Sequence, residues 1–187
     1  MKNGKIVLLL LCLTTLLWAC KSERDKKIDE ITSLEKKLTD TTQMHTNAAG
    51  YHADTTTIKN LLAAYEQFGT TYPTDSLAPV YLIKASQFYR AMNRHLREIE
   101  MYNLLYTKCT NSNQREYALF AQGYIFENDI KNYEGAKSKY NEFIKAYPKS
   151  PLAQQAAIAL LNMGKSPEQL YNELMAKQPT DSTAVVE

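Results

Sequence analysis

Tyr140-Asn141-Glu142-Phe143-Ile144-Lys145-Ala146-Tyr147-Pro148 occurs earlier in the chain as Tyr65-Glu66-Gln67-Phe68-Gly69-Thr70-Thr71-Tyr72-Pro73. A more diverged copy, Tyr102-Asn103-Leu104-Leu105-Tyr106-Thr107-Lys108-Cys109-Thr110, lies between them. The leading tyrosines Tyr65, Tyr102 and Tyr140 are evenly spaced to within one position, and a large apolar residue follows each at the third position. Residues three apart share a face of an α-helix, so each copy reads as the buried stripe of a helix's last turns. Self-similarity at a period of roughly 20 to 50 residues is the signature of stacked repeats.

Outward from these anchors, helical spacing of apolar residues predicts a run of helices. Ile58, Leu61, Leu62, Tyr65 and Phe68 form one stripe, ended by Gly69 and Pro73. Further helices are expected over 79–91, 93–108, 114–128, 132–147 and 151–163, where Gly164 is a natural stop. Pro151 suits a first helical turn, and Ser166-Pro167-Glu168-Gln169 is a cap-like start for a last helix ending near Lys177. The expected fold is all-α. Five segments follow: a leader over 1–19, an N-terminal helical stem over 20–42, and a flexible linker over 43–57. A helical repeat domain spans 58–177, and a loose tail spans 178–187.

The repeat resembles the tetratricopeptide repeat, in which antiparallel helix pairs stack into a short solenoid. Counting from each tyrosine, proline falls at the eighth position as Pro73 and Pro148, with Thr110 departing. A small residue falls at the twenty-first position as Ser86 and Gly123, an aromatic three further as Tyr89 and Phe126, and Leu82 or Leu119 four before. Asn132-Tyr133-Glu134-Gly135-Ala136 matches the start of a second helix. Glu98 departs, standing where the second helix has a small residue, which predicts looser packing of the middle repeat; Leu161 departs likewise in the last copy, whose pair is expected to cap the stack. The form Tyr-x-x-Phe-x-x-x-Tyr-Pro is similar to repeats of bacterial envelope proteins. The lipoprotein of the outer-membrane barrel-assembly machine and the coiled-coil repeat protein that works with Tol-Pal are the two families it resembles.

That resemblance implies that the first helix of each pair lines a concave face. The register then assigns to it Val80, Ile83, Gln87 and Arg90, then Tyr117, Phe120, Tyr124 and Glu127, then Gln155, Ile158 and Asn162. Tyr117, Phe120 and Tyr124 would make an aromatic wall, the chemistry that dominates binding hot spots. Shifting the register by one position would instead make some of these core.

The first twenty residues carry Lys2 and Lys5, an apolar run from Ile6 to Leu13, and Leu17-Trp18-Ala19-Cys20. A basic start, a short apolar run and a small residue before a cut site describe a secretory signal. The last four residues resemble the lipobox of bacterial lipoproteins, which implies acylation of Cys20, although Trp18 departs from its usual pattern; an ordinary signal or an uncleaved anchor is the other reading. Lys21 after the cysteine leans toward outer-membrane sorting, with the face undetermined. On this reading Cys109 is left without a disulfide partner. It fills the slot of Tyr72 and Tyr147, so a packed residue is expected rather than a reactive thiol.

In the stem, Ile28, Ile31, Leu34 and Leu38 form a stripe of about two heptads, too few to argue a coiled coil. It either self-associates weakly through residues 23–39, or is a single helix that docks on the body or frays. In the linker, His45, His52 and Asp54 do not match compact zinc-ligand spacing.

Without the leader the chain has 20 basic and 20 acidic side chains. That balance argues against nucleic-acid binding, which needs a cationic face. No nucleophile, phosphate-loop or metalloprotease motif is present, and His95, on a charged helix, reads as solvated. No cofactor or metal is expected, and no enzymatic activity. The expected function is a non-enzymatic outer-membrane lipoprotein, acylated at Cys20, whose repeats hold a protein or peptide partner in envelope assembly or maintenance. A small-ligand or glycan-binding lipoprotein of a nutrient-uptake system is the alternative.

Overall fold

A computed structural model of the protein describes residues 21–45 and 54–176. Among these the chain is all-helical, with eight helices: α1 (Glu23–His45), α2 (Thr55–Thr71), α3 (Leu77–Ala91), α4 (His95–Lys108), α5 (Arg115–Asn128), α6 (Tyr133–Ala146), α7 (Pro151–Asn162) and α8 (Pro167–Ala176). The leader, Cys20, His52 and the tail lie outside the described residues. No helix among the described residues is long and apolar enough to cross a membrane.

The helices form two compact units divided between Tyr72 and Pro73. In the first, α1 packs along α2. Ile31 is fully buried, with Ile28, Leu34 and Leu38 half-buried beside it, and the Tyr65 hydroxyl donates to Glu35 at 2.6 Å. The stripe of the stem is thus covered within the chain. The expected linker is also shorter than 43–57, because both helices intrude on it. Asp54, considered above as a ligand, is the N-cap of α2: its carboxylate accepts the Thr57 N–H at 3.0 Å. Such a cap supplies one of the first-turn donors with its missing partner, and it turns the threonine run into the start of a helix. Nor does Gly69 end α2. The helix passes through it and stops at Thr71.

In the second unit, successive helices from α3 to α7 pack in chain order. One core cluster joins α5, α6 and α7 through Leu119, Ala136, Tyr140, Phe143, Ala153 and Ala156. Helix boundaries fall within one turn of those read from the sequence. Helix α8 buries none of its residues, and Leu161 is 71% exposed. The last hairpin is the least covered.

The repeat period is written into the backbone. The C-cap residues Tyr72, Cys109 and Tyr147 have φ of −123°, −86° and −132° and ψ of 55°, 64° and 58°. Each donates its N–H to the carbonyl four positions back, on Phe68, Leu105 and Phe143. Three positions on, Asp75, Ser112 and Ser150 each turn a side-chain oxygen onto the N–H two positions ahead, at 2.9, 3.1 and 3.0 Å. These acceptors keep the same spacing as the leading tyrosines. A cysteine can replace a tyrosine at this corner because the backbone bond and the following cap hold it.

The turns inside the hairpins repeat as well. Asn93 and Lys131, at equivalent places before Tyr102 and Tyr140, have φ of +54° and +61°. For a lysine this left-handed conformation costs about 1–2 kcal/mol, and the entropy that glycine adds to the unfolded chain offsets part of the gain from relieving it. Lys131→Gly is therefore expected to stabilise the protein by about 0.5–1 kcal/mol in urea unfolding; a loss of stability would mean that the lysine side chain holds the turn.

Candidate partner-binding surface and a buried ionic cluster

Side-chain contacts tie the ends of the first helices of the second unit, α3, α5 and α7. Near their C-termini, Arg90 of α3 meets Asp129 after α5 at 3.3 Å. At their N-termini, Ser150 before α7 hydrogen-bonds Glu116 of α5. The sequence period sets the expected surface residues in rows one repeat apart. Val80 (37% exposed), Tyr117 (51%), Tyr124 (46%) and Ile158 (50%) are open to solvent, as are Gln87, Arg90, Gln155 and Asn162. Ile83, Phe120 and Glu127 are half-buried.

Phe120 and Glu127 face a different way. The Phe120 ring packs against Tyr140 and Phe143, with centroids 5.6 and 5.5 Å away. Glu127 accepts the Tyr140 hydroxyl at 2.8 Å. Tyr117 and Tyr124, two helical turns apart, lie almost in line along α5. Phe120 is three positions from Tyr117, so it is turned about 60° out of that line, toward α6. The expected three-residue wall is thus two exposed tyrosines, with the phenylalanine between them drawn into the core. Tyr117 also packs edge-on against Tyr102 at 5.8 Å. Burial, only partly opposed by the Ser86 hydroxyl, pushes the Tyr102 phenol up to about 12.

The small residues of the first helices explain how closely the hairpins fit. A β-carbon on Gly123 would stand 2.7 Å from the Tyr140 ring. Ser86, at the equivalent place, is fully buried and donates to the Ile83 carbonyl at 2.7 Å. Cys109 is buried, and burial raises its thiol pKa, so it packs instead of reacting. Beside it is a cavity of about 250 Å³ walled by turn residues, among them Pro73, Asp75, Asn111 and Ser112. That is below the ~300 Å³ at which small-molecule pockets usually begin.

Glu98 is where the structure departs most from the sequence reading. The middle repeat is not loose there. Glu98 is fully buried, in the slot that Ala136 fills one repeat later, together with Ile99, Met101, Tyr102 and Leu105. A buried carboxylate requires a cation or several donors. Arg90 supplies the cation, its Nε donating to Oε1 at 2.7 Å, while His95 Nδ1 lies 3.2 Å from Oε2. Burial works against the Arg90 charge, but Glu98 and Asp129 outweigh it and raise its pKa. His95, expected in solvent, is largely covered, and its Nδ1 is also 4.0 Å from Asp129. The available signal was a carboxylate in a small-residue slot with an arginine eight positions before it, across the turn between α3 and α4. Asp129, on the far side of the next helix, carried none.

No known protein family, curated protein or solved structure matches this chain.

Proposed function

We propose that the chain is a non-enzymatic, tetratricopeptide-like adaptor of the bacterial cell envelope. It is anchored through acyl chains on Cys20 and binds a protein or peptide partner along α3, α5 and α7. The observation that carries this reading is a pair of exposed rows, Val80, Tyr117 and Gln155 and then Gln87, Tyr124 and Asn162, each recurring at the period of the repeat on α3, α5 and α7. Large aromatic side chains left in water, on helices whose other faces are packed, supply contact area at little ordering cost. Gln87, Arg90, Gln155 and Asn162 around them supply the polar rim. The internal repeat and the three equivalent corners support the tetratricopeptide-like arrangement. The lipobox-like Leu17-Trp18-Ala19-Cys20 supports the anchor and, with Lys21, an outer-membrane location.

The placement of Phe120 separates binding from folding. Replacing Tyr117 and Tyr124 together by alanine is expected to abolish capture of crosslinked envelope proteins while leaving helicity unchanged. Phe120→Ala is expected instead to destabilise the protein by about 2 kcal/mol, less than the ~3–5 kcal/mol of a fully buried aromatic. Recovery of the same proteins by the double tyrosine variant, or of a small solute and no protein, would overturn the adaptor reading.

A further inference from the structure

We propose that His95, Glu98 and Asp129 bind one divalent transition-metal ion of the zinc class. One ligand atom from each residue lies within 4.8 Å of the other two. His95 and Glu98 are one helical turn apart at the start of α4, so their side chains leave the same face. Asp129 is the C-cap of α5, held there by its N–H bond to the Ile125 carbonyl. Two packed helices thus bring the three groups together.

The distances suit a metal. With ligand bonds of about 2.0–2.1 Å, a tetrahedral site has ligand atoms roughly 3.3 Å apart. His95 Nδ1 and Glu98 Oε2 are 3.2 Å apart, and Asp129 Oδ2 is 4.0 Å from the same nitrogen, a gap that a small carboxylate rotation closes. The charges suit one too. Two carboxylates, one wholly buried, face a single guanidinium, and Asp129 Oδ2 is shielded from water without accepting a hydrogen bond.

Arg90 borders the site, its Nη1 lying 3.3 Å from Oδ2 of Asp129, a contact that a bound ion would replace. Its Nε is bonded to Oε1 of Glu98, leaving Oε2 directed at His95, as an outer partner orients a ligating carboxylate. The side chains of His95 and Asp129 keep 21% and 22% of their surface, enough to admit an ion and a water as fourth ligand. One imidazole with two carboxylates favours zinc or cobalt(II) over calcium or magnesium, which prefer a larger all-oxygen shell.

The full chain, stripped with a chelator, is titrated with cobalt(II) followed by visible absorption and with zinc by calorimetry. Binding of one ion is expected, weakened at least 10-fold by His95→Ala and by Asp129→Asn, with zinc raising the melting temperature of the wild type only. Circular dichroism verifies that the variants are folded, and Asp129→Asn, at a helix end, preserves the shape of the side chain. Absence of saturable binding overturns the proposal. Unchanged affinity in both variants does so too, since the ion then sits elsewhere. So does a wild-type melting temperature that zinc leaves unchanged.

Discussion

Gly123→Val will lower the stability of the protein by about 3 kcal/mol, and Gly123→Ala by about 1 kcal/mol. The β-carbon of either residue would stand 2.7 Å from Cδ1 and 2.8 Å from Cε1 of Tyr140. That ring has little freedom to retreat. It is 1% exposed, packs against Phe120, and is held at its hydroxyl by Glu127. Overpacking of this kind typically costs about 1–3 kcal/mol. Alanine regains up to ~1 kcal/mol from the helix propensity that glycine lacks, which brings its net effect to the lower end. Valine regains less, and it adds two methyl groups to the clash. Far-UV circular dichroism during urea unfolding measures both. A wild-type midpoint for the valine variant would mean that α5 and α6 can separate without loss, and that Tyr140 is not what seals the hairpin.

Gly123 also marks how far sequence reasoning reaches into this fold. The repeat was legible because the same contact is made again at each period. Tyr102 and Tyr140 each occupy a place beside a small residue, Ser86 or Gly123, and the period is preserved even in turns where the residue types change. Helix ends were legible to within a turn wherever proline, glycine or serine marked them. Asp54 was missed because a threonine-rich, weakly periodic stretch resembles a linker until its cap is recognised. The stem stripe was recognised, but its partner could not be, since a two-heptad stripe suits a neighbouring helix as well as a second chain.

The surface was legible in register more than in orientation. Counting positions placed Val80, Tyr117, Tyr124 and Ile158 on open faces. It could not decide which way Phe120 turns, because a residue about 60° from the centre of a stripe goes wherever the neighbouring helix offers the better contact. Tyr140 and Phe143 offer it. The ionic cluster was the least legible part: Arg90, Glu98 and Asp129 come from three different helices or their ends, and only packing brings them together. Such a cluster breaks the local rule of a small residue at position 98, and departures of this kind concentrate where a fold serves something besides its own packing.

The cluster predicts an asymmetry between its two main partners. Arg90→Met is expected to destabilise the protein by about 3 kcal/mol, and Glu98→Ala by only about 1 kcal/mol, both measured in metal-free buffer. The methionine leaves Glu98, with 1% of its side-chain surface in water, without its guanidinium. An uncompensated buried charge costs about 3–5 kcal/mol, and the lower figure applies here because His95 stays beside it. Glu98→Ala leaves Arg90, but that side chain is 45% exposed and remains next to Asp129. Water can therefore resolvate it, and alanine is the residue the next repeat already carries at position 136. The double variant should be more stable than Arg90→Met alone, since removing the stranded carboxylate removes the penalty. If the two single variants are equally destabilised, or the double variant is their sum, the ion pair contributes as an exposed one does, and Glu98 reaches water by a path that the packing of α4 against α5 does not show.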